Sequence, residues 1–171
     1  MKTDGCITDI AEIFIGANDQ KITLFIAAEA LMNDPTKYLG YCALMDNNNN
    51  PTSGNALKEF ESDVSKLKKV TWCLEVDPIS ESKGYTAELL YIIRRNNSTK
   101  KFFKKTIQAK KDKDGCIVAK LNGPDVDPGN DYYYNIAFAV SKPDGNSEVF
   151  IIDPKLRGTV QVYYAVVKHC D

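Results

Sequence analysis

The chain has 171 residues, 43% hydrophobic and 26% charged, with a formal net charge of −1. These proportions are those of an ordinary globular protein and exclude wholesale disorder. The length suits one domain over residues 1–171 that buries roughly 70% of the surface its unfolded chain exposes. No apolar run reaches the roughly 18 residues that a membrane-spanning helix needs, so no membrane partner is expected.

At the start, Met1 to Cys6 carry no basic patch ahead of an apolar run, and Asp9 and Glu12 interrupt Ile7 to Gly16; no secretory leader is expected. Cys6, Cys42, Cys73, Cys116 and Cys170 are odd in number, scattered and never in a CxxC pair. That usage predicts reduced thiols, a cytoplasmic location, and neither a disulfide framework nor a zinc knuckle. The low net charge favours self-association.

Ile10 to Ile15 and Ile22 to Ala28 read as strands, Ala27 to Met32 as a helical turn stopped before Pro35, and Tyr38 to Met45 as a further strand. Asn47 to Pro51 is a polar loop. Leu57, Phe60, Val64 and Leu67 recur at intervals of three, four and three, so periodicity predicts a helix over 55–68. Val70, Trp72, Leu74 and Val76 then alternate with polar neighbours as in a half-buried strand ended by Pro78. A polar turn through Gly84 leads to a strand from Tyr85 to Ile93 that is apolar on both faces.

Phe102 to Ala109 and Cys116 to Leu121 read as a hairpin turned by Asp114-Gly115. Asn122 to Asn130 is a Pro- and Gly-rich loop. Asp131 to Ser141 and Glu148 to Ile152 are strands joined by Lys142-Pro-Asp-Gly145, and Thr159 to Val167 is a last strand rich in β-branched and aromatic residues. Short strands with turn signals between them predict a mainly β fold, a two-sheet antiparallel β-sandwich with one or two short accessory helices.

Few constellations promise chemistry. His169 is the single histidine and lies three residues from the end of the sequence, where a frayed tail is expected rather than a catalytic base. There is no GxGxxG, P-loop or GxSxG, so no catalytic residue, no cofactor and no metal site is predicted. Tyr132 and Tyr133 offer aromatic platforms, and Asp125, Asp127 and Asp131, with Asn130, offer oxygens in the adjoining loop. A glycan or small ligand, with calcium assistance, would use them; the same residue types also build turns and cores. The basic run from Arg94 to Lys113, with Phe102 and Phe103 inside it, has the composition of a nucleic-acid site. Strand alternation splits neighbouring lysines between two faces, and a solvated sheet edge is the expected reading.

The segment Asp131 to Lys155, an aromatic strand, an Asp-Gly turn, a second strand and Asp153-Pro154, resembles the bacterial inclusion-body protein family of PixA/AidA-like proteins. Val70-Thr71-Trp72, Tyr85 to Ile93 and Lys37-Tyr38 to Met45 are similar to that family's earlier strands. Ser65 to Lys69 stands where the family has a Gly-Asp turn, a departure that leaves residues 55–68 open between the strand of the family and the helix of the periodicity. The resemblance implies a β-sandwich, association with intracellular inclusions, and no catalytic residues. The expected function is therefore that of a non-enzymatic, self-associating cytoplasmic protein with a homo-oligomer or higher assembly as partner. The alternative is a carbohydrate- or small-ligand-binding β-sandwich.

Overall fold

Apolar side chains two residues apart reach a common face only when the backbone is extended, and this spacing recurs along most of the chain. The computed structural model describes residues 7–15, 19–47, 51–65, 68–95, 102, 106–108, 112–121, 127–159 and 161–169, with the backbone alone described for 7–15, 106–108 and 161–169. In order the elements are β1 (Ile7–Ile15), β2 (Gln20–Ile26), α1 (Ala28–Asn33), a 3-10 segment (Pro35–Tyr41), β3 (Cys42–Asp46), β4 (Thr52–Ser53) and a second 3-10 segment (Gly54–Glu59). There follow β5 (Glu61–Val64), β6 (Lys69–Val76), α2 (Pro78–Ser82), β7 (Thr86–Arg94), β8 (Thr106–Gln108) and β9 (Ile117–Lys120). β10 (Asp131–Ser141), β11 (Ser147–Ile152), β12 (Lys155–Gly158) and β13 (Gln161–His169) complete the chain.

Two main sheets face each other. The first has strand order β4-β3-β2-β6-β9; the second has order β5-β12-β10-β7-β8, with β11 also paired to β10. Ile22, Leu24, Leu44 and Trp72 from the first sheet and Ile92, Tyr134, Ile136, Phe138 and Leu156 from the second fill the core between them, each fully or almost fully buried. β1 and β13 form a separate antiparallel ribbon that runs from Ile7 opposite His169 to Ile15 opposite Gln161. His169 thus belongs to a strand, not to a frayed end.

The mainly β, two-layer architecture with short helices follows the sequence reading, but its all-antiparallel detail is corrected. β2 runs parallel to β6 and β5 parallel to β12. Alternation fixes which face a residue takes and is silent on strand direction; the long excursion from Ala27 to Lys68 is what permits the parallel return.

Three further corrections have local causes. Leu57 and Phe60, three apart, lie on a 3-10 turn, while Phe60, Ser62 and Val64 alternate into β5, all four at most 1% exposed. A spacing of four is one helical turn or two strand periods, and here it is the latter. Tyr38 to Tyr41 belong to the 3-10 segment opened by Pro35, not to β3. β8 pairs with β7 and β9 with β6, so the expected hairpin strands lie in different sheets although the turn itself, with Gly115 at φ +78°, is present.

One helix was not anticipated. Asp77 caps α2, its Oδ1 accepting from the N–H groups of Ile79 at 3.1 Å and Ser80 at 3.0 Å, with Pro78 at the first helical position. Asp-Pro is the sequence signal for that start. In β7, Tyr91 opposes Ala137 while Leu89 opposes Phe138, so Leu90 is an extra, bulged residue. The bulge turns Tyr91 and Ile93 outward and brings Ile92 into the core.

The thiols also differ from expectation. Cys73 and Cys116 form a disulfide with a Cα–Cα distance of 4.5 Å. Cys42 is a free, buried thiol whose pKa burial pushes up to about 12; such a group behaves as an inert core residue. Cys6 and Cys170 lie outside the described residues.

Candidate functional site

Phe25 sits on the outer face of β2 and pairs across the sheet with Ala43 of β3 on one side and Glu75 of β6 on the other. α1 and α2 leave the ends of β2 and β6 and are tied together there. Asp77 Oδ2 accepts from Ala28 N–H at 3.2 Å, Ser80 Oγ accepts from Glu29 N–H at 2.9 Å, and Lys83 meets Glu29 at 2.6 Å. The result is a cleft of about 510 Å³ floored by Phe25 and Ala43 and walled by Tyr41, Val76 and Pro78, with Glu75, Asp77 and Ser53 as its polar members.

Glu75 borders two further depressions. One, of about 540 Å³, is shared with Leu74, Glu81, Tyr85 and Thr86. The other, of about 360 Å³, is shared with Lys21, Thr71, Asp112, Asp114 and the disulfide. Asp77 is committed to the helix ends, whereas Glu75 makes no ion pair among the described residues. An aromatic floor beside an available carboxylate can stack an apolar ring face and accept hydrogen bonds from hydroxyl or ammonium groups.

The second sheet carries the charge on its outer face. Lys155 reaches Glu61 at 2.9 Å and Asp131 at 3.1 Å, and Arg157 reaches Glu61 at 3.2 Å. Their strands, β12 and β5, run side by side with Lys155 opposite Glu61. The hydrogen bonds that Lys155 donates to Glu61 and Asp131 push its ammonium well above its ordinary value. Partial burial pushes the Glu61 carboxyl up, but the hydrogen bonds it accepts from Lys155 and Arg157 outweigh this and hold it below its ordinary value. Asp63 is pushed up, first by desolvation and then by the neighbouring Glu61. Lys155, Arg157, Glu61 and Asp131 satisfy one another.

Next to this ladder the same outer face is apolar. Ala137 of β10 pairs with Tyr91 of β7 and Ile151 of β11, and Ala139 pairs with Val149. Val149 is 62%, Ile151 48% and Tyr91 38% exposed. The Tyr38 hydroxyl donates to the Ile151 carbonyl at 3.1 Å and covers that point of the strand edge.

The structure does not assemble the site residues read from the sequence into one surface. Tyr132 is 2% exposed, packed on Phe102 with ring centres 4.9 Å apart, and its hydroxyl accepts from Asp127 N–H at 2.7 Å. Tyr133 is half-buried on the outer face, Asp131 is engaged by Lys155, and Asp125 lies outside the described residues. Of the basic run, Arg95 pairs with Asp153 at 3.2 Å, and Lys100, Lys101, Lys104, Lys105, Lys110 and Lys111 lie outside the described residues. Among the described residues no group of three or more acidic, His or Cys side chains is placed to hold a metal. No helix among them is long and apolar enough to cross a membrane.

A buried Ser62–Asp46 hydrogen bond of 2.8 Å links the two sheets, and its residues are 0% and 3% exposed. Solvent does not reach it, so it fastens the core. The cleft on Phe25, Ala43 and Glu75 is the feature that sequence reasoning missed. Its three residues come from strands whose adjacency depends on the parallel β2–β6 pairing.

No protein-family model matches the chain, and no curated protein matches its sequence. A solved structure does match: the crystal structure of an inclusion body protein (PixA) from Burkholderia cenocepacia J2315, with a TM-score of 0.53 over 85% of this chain and 96% of that one. The chain has the PixA fold. The two sequences are 10% identical, so what is shared is the arrangement of strands. The resemblance read from Asp131 to Lys155 and the strands before it stands at that level. The PixA-type sheets are the frame on which this chain places the Phe25 cleft and the Val149–Ile151 face.

Proposed function

We propose that this is a non-enzymatic, self-associating protein of the inclusion-body type, acting in the cytoplasm. The observation that carries the reading is the fold match, which spans 85% of this chain and nearly the whole PixA chain. Two features support it. The exposed row of Tyr91, Ile151 and Val149 is an apolar surface of the kind that marks contact sites. The net charge of −1 opposes association between copies only weakly. Sedimentation velocity across a wide concentration range at pH 6 and 7.5 tests the proposal: the sedimentation coefficient rises with concentration, and a monomer throughout overturns it.

The cleft favours a second reading, a small-ligand or glycan site. Phe25 and Tyr41 supply ring faces beside the available Glu75 carboxylate. A glycan array and a thermal-shift screen, run with and without calcium, test it. No response in any arm removes it.

A further inference from the structure

β9 is a strand of four residues at the end of its sheet, and among the described residues it pairs only with β6. At one end of this ladder Lys69 stands directly opposite Lys120, and like charges in that position repel. At the other end the ladder stops at Trp72 opposite Ile117, and the next pair, Cys73 and Cys116, is joined covalently. The turn before β9 leans on the same point, because Asp112 N–H donates to the Cys116 carbonyl at 3.0 Å and Asp112 Oδ1 accepts from Cys116 N–H at 2.9 Å. Ile117, Ala119 and Leu121 hold the strand to the core from beneath. On the outer face the disulfide offsets the lysine pair.

Both cysteines, Cys73 6% and Cys116 9% exposed, line the depression of about 360 Å³ that also holds Lys21, Thr71, Asp112 and Asp114, and this is the side from which a thiol would approach the bond. Cys42, buried in β3, is poorly placed to exchange with it.

We propose that Cys73 and Cys116 form a reversible thiol–disulfide exchange site, a clasp whose reduction loosens β9 and leaves β6 as the edge of its sheet. The reductant is a thiol: one thiolate attacks a protein sulfur to give a mixed disulfide and releases the other cysteine as a thiolate, which takes a proton. A second thiol resolves the mixed disulfide. Overall, two R–SH become R–S–S–R and the protein disulfide becomes two protein thiols. Such a clasp is closed where conditions are oxidising and open in a reducing cytoplasm. This goes beyond the assembly reading and stands without it.

The test uses the purified full chain, oxidised in air, with dithiothreitol as the probe. Peptide mapping after thiol blocking finds Cys73 linked to Cys116. Reduction lowers Tm on the order of 10 °C, as expected for opening a link between residues 43 apart in sequence. It speeds amide exchange at least about tenfold more over residues 117–120 than over β10, and is reversed by oxidised glutathione. A Cys73→Ser/Cys116→Ser variant has the low Tm and does not respond to dithiothreitol. Free thiols at both positions in the oxidised protein overturn the proposal. So does unchanged exchange in β9 on reduction, or equal acceleration in β10, which would make the bond a global staple. If the double variant does not fold, the comparison of wild type with and without dithiothreitol still decides.

Discussion

The indole of Trp72 on β6 and the ring of Tyr134 on β10 meet edge to face across the two sheets, their centres 5.7 Å apart. Both residues are fully buried, and burial pushes the Tyr134 phenol well above its ordinary value, so it stays neutral at physiological pH. Trp72 is the single tryptophan, so its fluorescence reports the joining of the layers. Trp72→Ala leaves a cavity between the sheets and is expected to cost about 3–5 kcal/mol. Trp72→Phe, which keeps a ring there, should cost less. Urea titration followed by far-UV circular dichroism measures both.

Asp77 holds α1 and α2 at the mouth of the cleft. The Ser80 hydroxyl holds its carboxyl below the ordinary value against the upward push of desolvation, with the N–H groups of Ser80, Ala28 and Ile79 adding to the lowering. Its folded pKa is lowered, so its contribution is complete above the unfolded value of 3.8 and is lost as pH falls through the folded pKa. Asp77→Ala should lose about 1–2 kcal/mol at pH 7. The difference from wild type should shrink when denaturation is repeated near pH 3; a gap that widens there would contradict this role.

Where one physical signal decided the structure, the sequence was legible. β10, its Asp-Gly turn and β11 follow from alternation plus a residue that tolerates positive φ: Gly145 has φ +89°, and Asp144 caps Asn146 N–H at 2.9 Å. The same holds for α1 before Pro35 and for β6. Long-range pairing left no such signal. That β6 lies between β2, to which it runs parallel, and β9 decides both the cleft and the disulfide, and neither Cys73 nor Cys116 shows its partner in the local pattern. The outward turn of Tyr91 rests on one bulged residue, Leu90, in a segment apolar on both faces. Tyr132 was legible both as a ligand candidate and, sharing a face with Tyr134, Ile136, Phe138 and Val140, as a core residue, and the structure buries it.

Gly158 closes β12 against the loop before β10. Its N–H donates to the Asn130 carbonyl at 2.9 Å and its carbonyl accepts from Gly129 N–H at 2.8 Å. A Cβ there would overlap the carbonyl oxygen of Asp127, a backbone atom that cannot swing aside. Gly158→Ala is therefore expected to destabilise by at least about 1–3 kcal/mol and to expose the Asp127–Asn130 turn to proteolysis. Gly40→Ala, where nothing lies within 4 Å of the added methyl, is the control in the same thermal melts.

The cleft reading separates from stability because its polar member is exposed. Glu75→Gln removes the available charge without touching the core and should change stability by less than about 0.5 kcal/mol. Any ligand found in the thermal-shift screen should lose its effect in Glu75→Gln and in Phe25→Ala. A ligand that shifts all three proteins equally binds elsewhere.

The assembly reading turns on the face formed by Val149 and Ile151. Both lie on β11, a strand paired on one side with β10 and touched on the other by Tyr38, and both point away from the core that Phe150 and Ile152 enter. A lysine at either position keeps its charged end in water and its stem along the sheet, so Val149→Lys and Ile151→Lys should each change stability by less than about 1 kcal/mol. Their effect on association should be large, since two copies meeting on this face would have to bury the ammonium groups. Sedimentation velocity at matched concentrations is expected to show wild type associating and the Val149→Lys/Ile151→Lys double variant monomeric, with unchanged far-UV circular dichroism. If the double variant associates as wild type does, copies meet through another surface, and Tyr91 and Ala137 beside it are excluded with it.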